Sequence, residues 1–143
     1  MILFKQEMIT KIRACICGHD VDAHVFTDRG VVCMSGSCVC YAASFQGQKT
    51  MTRRWWKSAR AKASSVQRAN TDYYTWTGLS LHIKDVRMES LEWWPHHISE
   101  EDARAEGFES VDAFVEYFNK VNSPRDLYMR RCYAVTFAIV RPA

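Results

Sequence analysis

A mixed α+β domain is what this sequence predicts, and three observations carry the prediction. Apolar residues make up 48% of the 143, enough for one real core in a single domain spanning 1–143. Residues 72–91 and 130–141 alternate apolar with polar side chains, the pattern of strands with one buried face. Helix signals stand elsewhere: Met8, Ile9 and Ile12 share one helical face, Ser99 and Asp102 have capping-box spacing, and Val111, Phe114, Val115 and Phe118 share a second face.

Residues 2–13 read as a short strand followed by a helix. In 72–91, Tyr74, Trp76, Leu79, Leu81 and Ile83 alternate with polar neighbours, and the register then shifts to Val86 and Met88. That shift predicts a bulge near Lys84-Asp85. His96 and His97 read as ordinary loop histidines. The capped helix after them ends near Gly107, with Glu106 just before the glycine. A further helix begins near Ser110 and breaks at Asn122-Ser123-Pro124, and Cys132 reads as a small residue of the last strand.

Charge is modest in sum, +3, but polarised along the chain. From Lys49 to Arg68 there are seven Lys or Arg and no acid, whereas from Asp85 to Glu116 ten acids stand against two bases. Such a map suits an anionic partner on one face. No apolar run approaches the length that spans a bilayer, so no membrane partner is expected. Lys5, Glu7, Lys11 and Arg13 interrupt any leader-like stretch, and a cytoplasmic location is expected.

Residues 15–40 hold five of the six cysteines: Cys15-Ile16-Cys17-Gly18-His19, then His24, Cys33, Cys38 and Cys40. Thiolates and imidazoles at this spacing can fold back onto one tetrahedral ion, which is what structural zinc requires. With His19 set behind the ion, six candidate ligands remain for four positions: Cys15, Cys17, His24, Cys33, Cys38 and Cys40. Disulfides would need an oxidising compartment, and buried thiols would need apolar surroundings that this polar, turn-rich stretch lacks. Thr27-Asp28-Arg29-Gly30 reads as a hairpin turn and Ser35-Gly36-Ser37 as a second turn. The order of these residues, with Phe45 just after, resembles small zinc modules.

Gly47-Gln48-Lys49-Thr50-Met51-Thr52-Arg53-Arg54 places a glycine, an amine, hydroxyls and two guanidinium groups together. Lysine and threonine three apart can serve as base and nucleophile, and adjacent arginines grip phosphate. Trp55, Trp56, Lys57 and Arg60 continue the run, and cations interleaved with aromatics suit nucleic acid. Arg53, Arg54, Trp55, Lys57 and Arg60 are therefore the candidate nucleic-acid contacts. Of the two tryptophans, one is expected in the core and one exposed.

The octet resembles the lysine motif of ASCH domains at Gly47, Lys49, Thr52 and Arg54. Residues 2–9, 98–108 and 133–137 resemble the family's opening strand and helix, acidic helix and closing strand, in the family's order. The resemblance implies a PUA-like β-barrel with surrounding helices, in which residues 14–45 form an inserted zinc-binding module. It also implies a cleft lined by the lysine loop and Glu106. Two functions follow from it. One is binding of RNA, DNA or a nucleoside, with a base read in the cleft. The other is removal of the acetyl group from acetylcytidine, where Thr52 attacks the amide, Lys49 takes its proton and Glu106 orients the lysine.

Overall fold

Strand β7 (Trp76–Glu89) is the long member of a curled five-stranded sheet. The order is β1 (Ile2–Leu3), β6 (Val66–Asn70), β7, β8 (Arg131–Val140), β5 (Met51–Trp56), with β1 parallel to β6 and the other pairs antiparallel. The structure is a computed structural model, and it describes residues 1–34, 41–42, 45, 47–56, 58–89, 94–122 and 131–140. Cys38, Cys40, Lys57 and the turn expected at Ser35-Gly36-Ser37 lie outside the described residues.

Alternation builds the core as the sequence predicts. Leu79, Leu81 and Ile83 of β7 are buried against Val135, Phe137 and Ile139 of β8, and Met8, Ile9 and Ile12 of helix α1 (Gln6–Arg13) join them. The register shifts between Ile83 and Asp85, so the expected bulge is present. A second cluster covers the other face of the sheet. There Trp55 and Cys132 pack on Ala103 of α2 (Glu100–Ala105) and on Phe114 and Phe118 of α3 (Val111–Val121). Both helices start at the expected caps. Ser99 Oγ accepts from the Asp102 N–H at 3.0 Å, and Ser110 Oγ accepts from the Ala113 N–H at 3.1 Å.

Three details differ from the sequence expectation. Residues 72–75 form a turn, and Tyr74 stands exposed instead of opening the strand. Asp72 causes this, because its carboxylate accepts from the Tyr74 and Thr75 N–H groups at 2.8 Å each. Strands β5 and β6 were not expected. Met51, Thr52, Arg53 and Trp55 are all buried, so β5 carries no two-residue alternation to read.

The cysteine-rich stretch forms its own three-stranded sheet from β2 (His24–Thr27), β3 (Gly30–Cys33) and β4 (Tyr41–Ala42). The hairpin turn falls at Asp28-Arg29, where Thr27 pairs with Gly30. Val21, Val31 and Phe45 belong to the same core cluster as Leu79 and Ile139. The module is thus seated on the main sheet. Among the described residues, no helix is long and apolar enough to cross a membrane.

Candidate functional site

Backbone bonds pin the lysine loop from three sides. The Gln48 N–H donates to the Ala14 carbonyl at 2.7 Å and the Lys49 N–H to that of Lys11 at 3.2 Å, both at the end of α1. The Thr50 N–H donates to Ala105 of α2 at 2.8 Å, and the Thr50 carbonyl accepts from the Phe137 N–H of β8 at 2.9 Å. Gly47 makes this docking possible: a Cβ there would meet the Ile12 carbonyl oxygen at 2.9 Å.

Lys49 is thereby aimed inward, and its side chain is 3% exposed. Nζ donates to the Glu106 carbonyl at 2.8 Å and to Glu106 Oε2 at 3.0 Å. Glu106 lies there because α2 stops on it and Gly107 follows at a φ of 92°. Lys49, Thr52, Arg54 and Glu106 line a cavity of about 340 Å³, with Phe108 and Tyr117 among its aromatic walls. Thr52 Oγ1 accepts from Arg54 Nε at 3.0 Å, and the Arg54 guanidinium lies 4.8 Å from the Phe4 ring centre. Burial lowers the Lys49 pKa below its ordinary value and outweighs the opposing pull of Glu106; Arg54 and Lys11 add to the lowering. Burial, reinforced by Glu7, raises the pKa of the Tyr117 phenol.

Strand alternation divides the expected nucleic-acid residues between two faces. Arg54 turns toward Phe4 and the cavity, and Trp56 packs half-buried on Tyr133. Arg53 and Trp55 turn the other way, toward α2 and α3, with Arg53 still reaching the cavity wall at Glu106. Trp55 packs against Phe118, so the one-in, one-out expectation for the tryptophans resolves as Trp55 inside and Trp56 partly outside. Arg53 is fully enclosed and is not a surface contact. Its guanidinium donates to both Glu89 oxygens at 2.8 and 2.9 Å, to Asp102 at 2.7 Å and to Glu106 at 3.4 Å. Desolvation alone would lower its pKa, but these carboxylates raise it, so its charge is committed inside the protein. Of the expected contacts, Arg60 is exposed and Arg54 half-buried.

Sequence reasoning missed Glu89, Asp102 and His97 as partners in this cluster. His97 Nε2 lies 3.1 Å from Glu89 Oε2, which gives that loop histidine a structural place. Burial opposes ionisation of Glu89, yet its bonds to Arg53, His97 and Arg87 hold its pKa down at about 2. A carboxylate depressed in the folded state stabilises the fold above its unfolded pKa. That contribution is lost as pH falls from about 4.5 through 2. Urea midpoints measured down this pH range should therefore fall for the parent protein, and the fall should be shallower for Glu89→Gln.

The second site lies in the module. Cys15, Cys17 and His24 present donor atoms within 4.8 Å of one another, and so do Cys17, His19 and Cys33. Both groups are close enough to hold a metal ion. His19, expected behind the ligands, stands among them. Cys17 Sγ is 3.6 Å from His19 Nδ1 and 3.6 Å from His24 Nε2. Sulfur and nitrogen across a tetrahedral zinc are about 3.5 Å apart, given Zn–S and Zn–N lengths of about 2.3 and 2.0 Å. His24 Nδ1 lies 2.8 Å from the Asp20 carbonyl oxygen, which can only accept, so the proton is on Nδ1 and Nε2 is the free donor. Desolvation would raise the Cys17 pKa, but hydrogen bonds from His19, Cys15 and His24 bring it down to about 5. Cys15, Cys17, Cys33 and Cys132 are all free of disulfides. Cys132 is a strand residue as expected, with its thiol pushed up to about 12 by burial.

No protein-family model matches the chain, and neither a curated protein nor a solved structure matches it.

Proposed function

We propose that the chain is a PUA-like domain of the ASCH type that takes a base or nucleoside of RNA or DNA into the Lys49–Thr52–Glu106 cavity. The observation that carries this reading is the buried Lys49–Glu106 ion pair in an aromatic-lined cavity of about 340 Å³. A desolvated ion pair is a poor way to gain stability, so its retention is better explained by use. An ammonium, a hydroxyl, a guanidinium and a carboxylate together offer donors and acceptors to the edge of a heterocycle. Phe108 and Tyr117 offer flat surfaces on which a base stacks. Arg54 and the exposed Arg60 remain to meet phosphate. The thiolate and imidazole donors of the module favour zinc among the available metals, as a structural ion that holds the module on the sheet.

Fluorescence anisotropy with short labelled RNA and DNA strands tests the reading. Affinity should fall with salt, and Arg60→Glu should lower the slope of log affinity against log salt by about one. Lys49→Met should erase preference among bases while leaving that slope in place. Equal binding by the parent and both variants would refute it.

The lowered Lys49 pKa favours a second reading, amide hydrolysis of acetylcytidine. Arg54 Nε donates to Thr52 Oγ1, which leaves the hydroxyl's own proton for a base. Neutral Lys49 takes that proton as Thr52 attacks the acetyl carbonyl. The C–N bond then breaks, Glu106 assists proton return to the departing cytosine amine, and water hydrolyses the acetyl-threonine ester. Because the base must be neutral, kcat/KM should rise with pH through a value below the ordinary lysine pKa of 10.5. Lys49→Ala and Thr52→Ala should abolish release of cytidine and acetate, and Glu106→Gln should slow it. A pH-independent rate, or turnover retained in Thr52→Ala, would exclude this chemistry.

A further inference from the structure

The geometry points to two zinc ions in the cysteine–histidine module, bridged by the sulfur of Cys17. This rests on the reading that the module takes zinc, and it changes the expected count from one ion to two. One tetrahedral ion needs four donors that are all neighbours of one another. Among the described residues the donors instead fall into two triads, Cys15–Cys17–His24 and Cys17–His19–Cys33. Cys17 is the member common to both.

Three sulfur–nitrogen distances within the triads are those of coordination. Cys17 Sγ lies 3.6 Å from His24 Nε2 in one triad and 3.6 Å from His19 Nδ1 in the other. Cys33 Sγ is 3.6 Å from the same His19 nitrogen. Each matches the separation of about 3.5 Å expected for sulfur and nitrogen on a shared zinc. A thiolate sulfur has lone pairs to spare and can bind two cations at once, whereas an imidazole nitrogen has one pair and binds one. Of the two donor types in these triads, cysteine is the one that suits the shared position, and a cysteine is there.

Ligand arithmetic agrees. Two tetrahedral ions have eight coordination positions, and one bridging sulfur fills two of them, so seven donors suffice. Among the described residues, Cys15, Cys17, His19, His24 and Cys33 fill six of the eight positions, Cys17 counting twice. The backbone supports the arrangement as well. The Cys15 N–H donates to the His19 carbonyl at 2.9 Å, and the Gly18 N–H donates to the Cys15 carbonyl at 2.8 Å. That closes a tight turn which presents Cys15, Cys17 and His19 together, with Gly18 at a φ of 90°. On the other side, the Asp20 carbonyl fixes the His24 ring.

Native mass spectrometry and elemental analysis of the full chain, purified without added metal and then titrated with zinc, decide the matter. Two zinc ions per chain are expected, each binding with loss of ligand protons. His24→Gln and Cys33→Ser should each retain one ion, and Cys17→Ser should lose both. One ion at saturation in the parent protein would overturn the bridged pair while leaving the zinc reading intact. No bound zinc would overturn both. The count on the parent protein stands even if a variant fails to fold, and two ions retained by Cys17→Ser would rule out the bridge.

Discussion

Stripping the proposed zinc from the cysteine–histidine module should destabilise the whole domain and release the lysine loop. The module is not an appendage, because Val21, Val31 and Phe45 share one core with Leu79 and Ile139 of the main sheet. Cys15 follows directly on α1, and the Ala14 and Lys11 carbonyls of that helix end hold the backbone of Gln48 and Lys49. Structural zinc contributes about 10–16 kcal/mol in small zinc-binding peptides, as much as the whole stability of an ordinary domain at about 5–15 kcal/mol. Chelation should therefore lower Tm by more than about 15 °C. Hydrogen exchange should show the amides of Gln48, Lys49 and Thr50 losing protection together with those of His24–Cys33. A chelated protein with an unchanged melt and a protected lysine loop would contradict this coupling.

Arg53→Met should cost about 3–5 kcal/mol of stability. The substitution keeps an unbranched apolar stem but removes the cation that Glu89, Asp102 and Glu106 share. Glu89 and Glu106 then remain as buried carboxylates, with His97, Arg87 and Lys49 as their only other described partners. Urea unfolding should show a lowered midpoint with an unchanged slope, whereas Arg60→Met, on the exposed side, should stay within about 0.5 kcal/mol of the parent. Equal stabilities would mean that the guanidinium is solvated after all. Glu106→Gln alone should be milder than Arg53→Met, because Arg53 keeps Glu89 and Asp102.

Local features of the chain were legible from the sequence because they depend on neighbours. Ser99 and Ser110 cap their helices, Asp28-Arg29 turns its hairpin, and the bulge falls beside Lys84, each within a few residues of the cause. The convergence of Lys49 with Glu106, 57 residues apart, was expected from the family resemblance and from the need of a lysine base for a carboxylate partner. Spacing alone holds no record of a contact so distant. Arg53 was misplaced for the same reason. Its partners Glu89, Asp102 and Glu106 lie 36, 49 and 53 residues away along the chain, so a basic run read as a nucleic-acid contact surface. Strand β5 was hidden because sheet and helices bury both of its faces, and a strand so covered shows no alternation. His19 was set aside because residue type and spacing rank candidate ligands but do not show which way a ring turns.

A base bound in the Lys49–Thr52–Glu106 cavity is what the proposed function requires. The most direct test is the crystal structure of the protein soaked with cytidine and, separately, with acetylcytidine. The heterocycle is expected inside the cavity, with a ring or exocyclic atom within hydrogen-bond distance of Lys49 Nζ or the Glu106 carboxylate. Either nucleoside bound only outside the cavity, or an unchanged Lys49–Glu106 pair with no ligand at millimolar concentration, would contradict it.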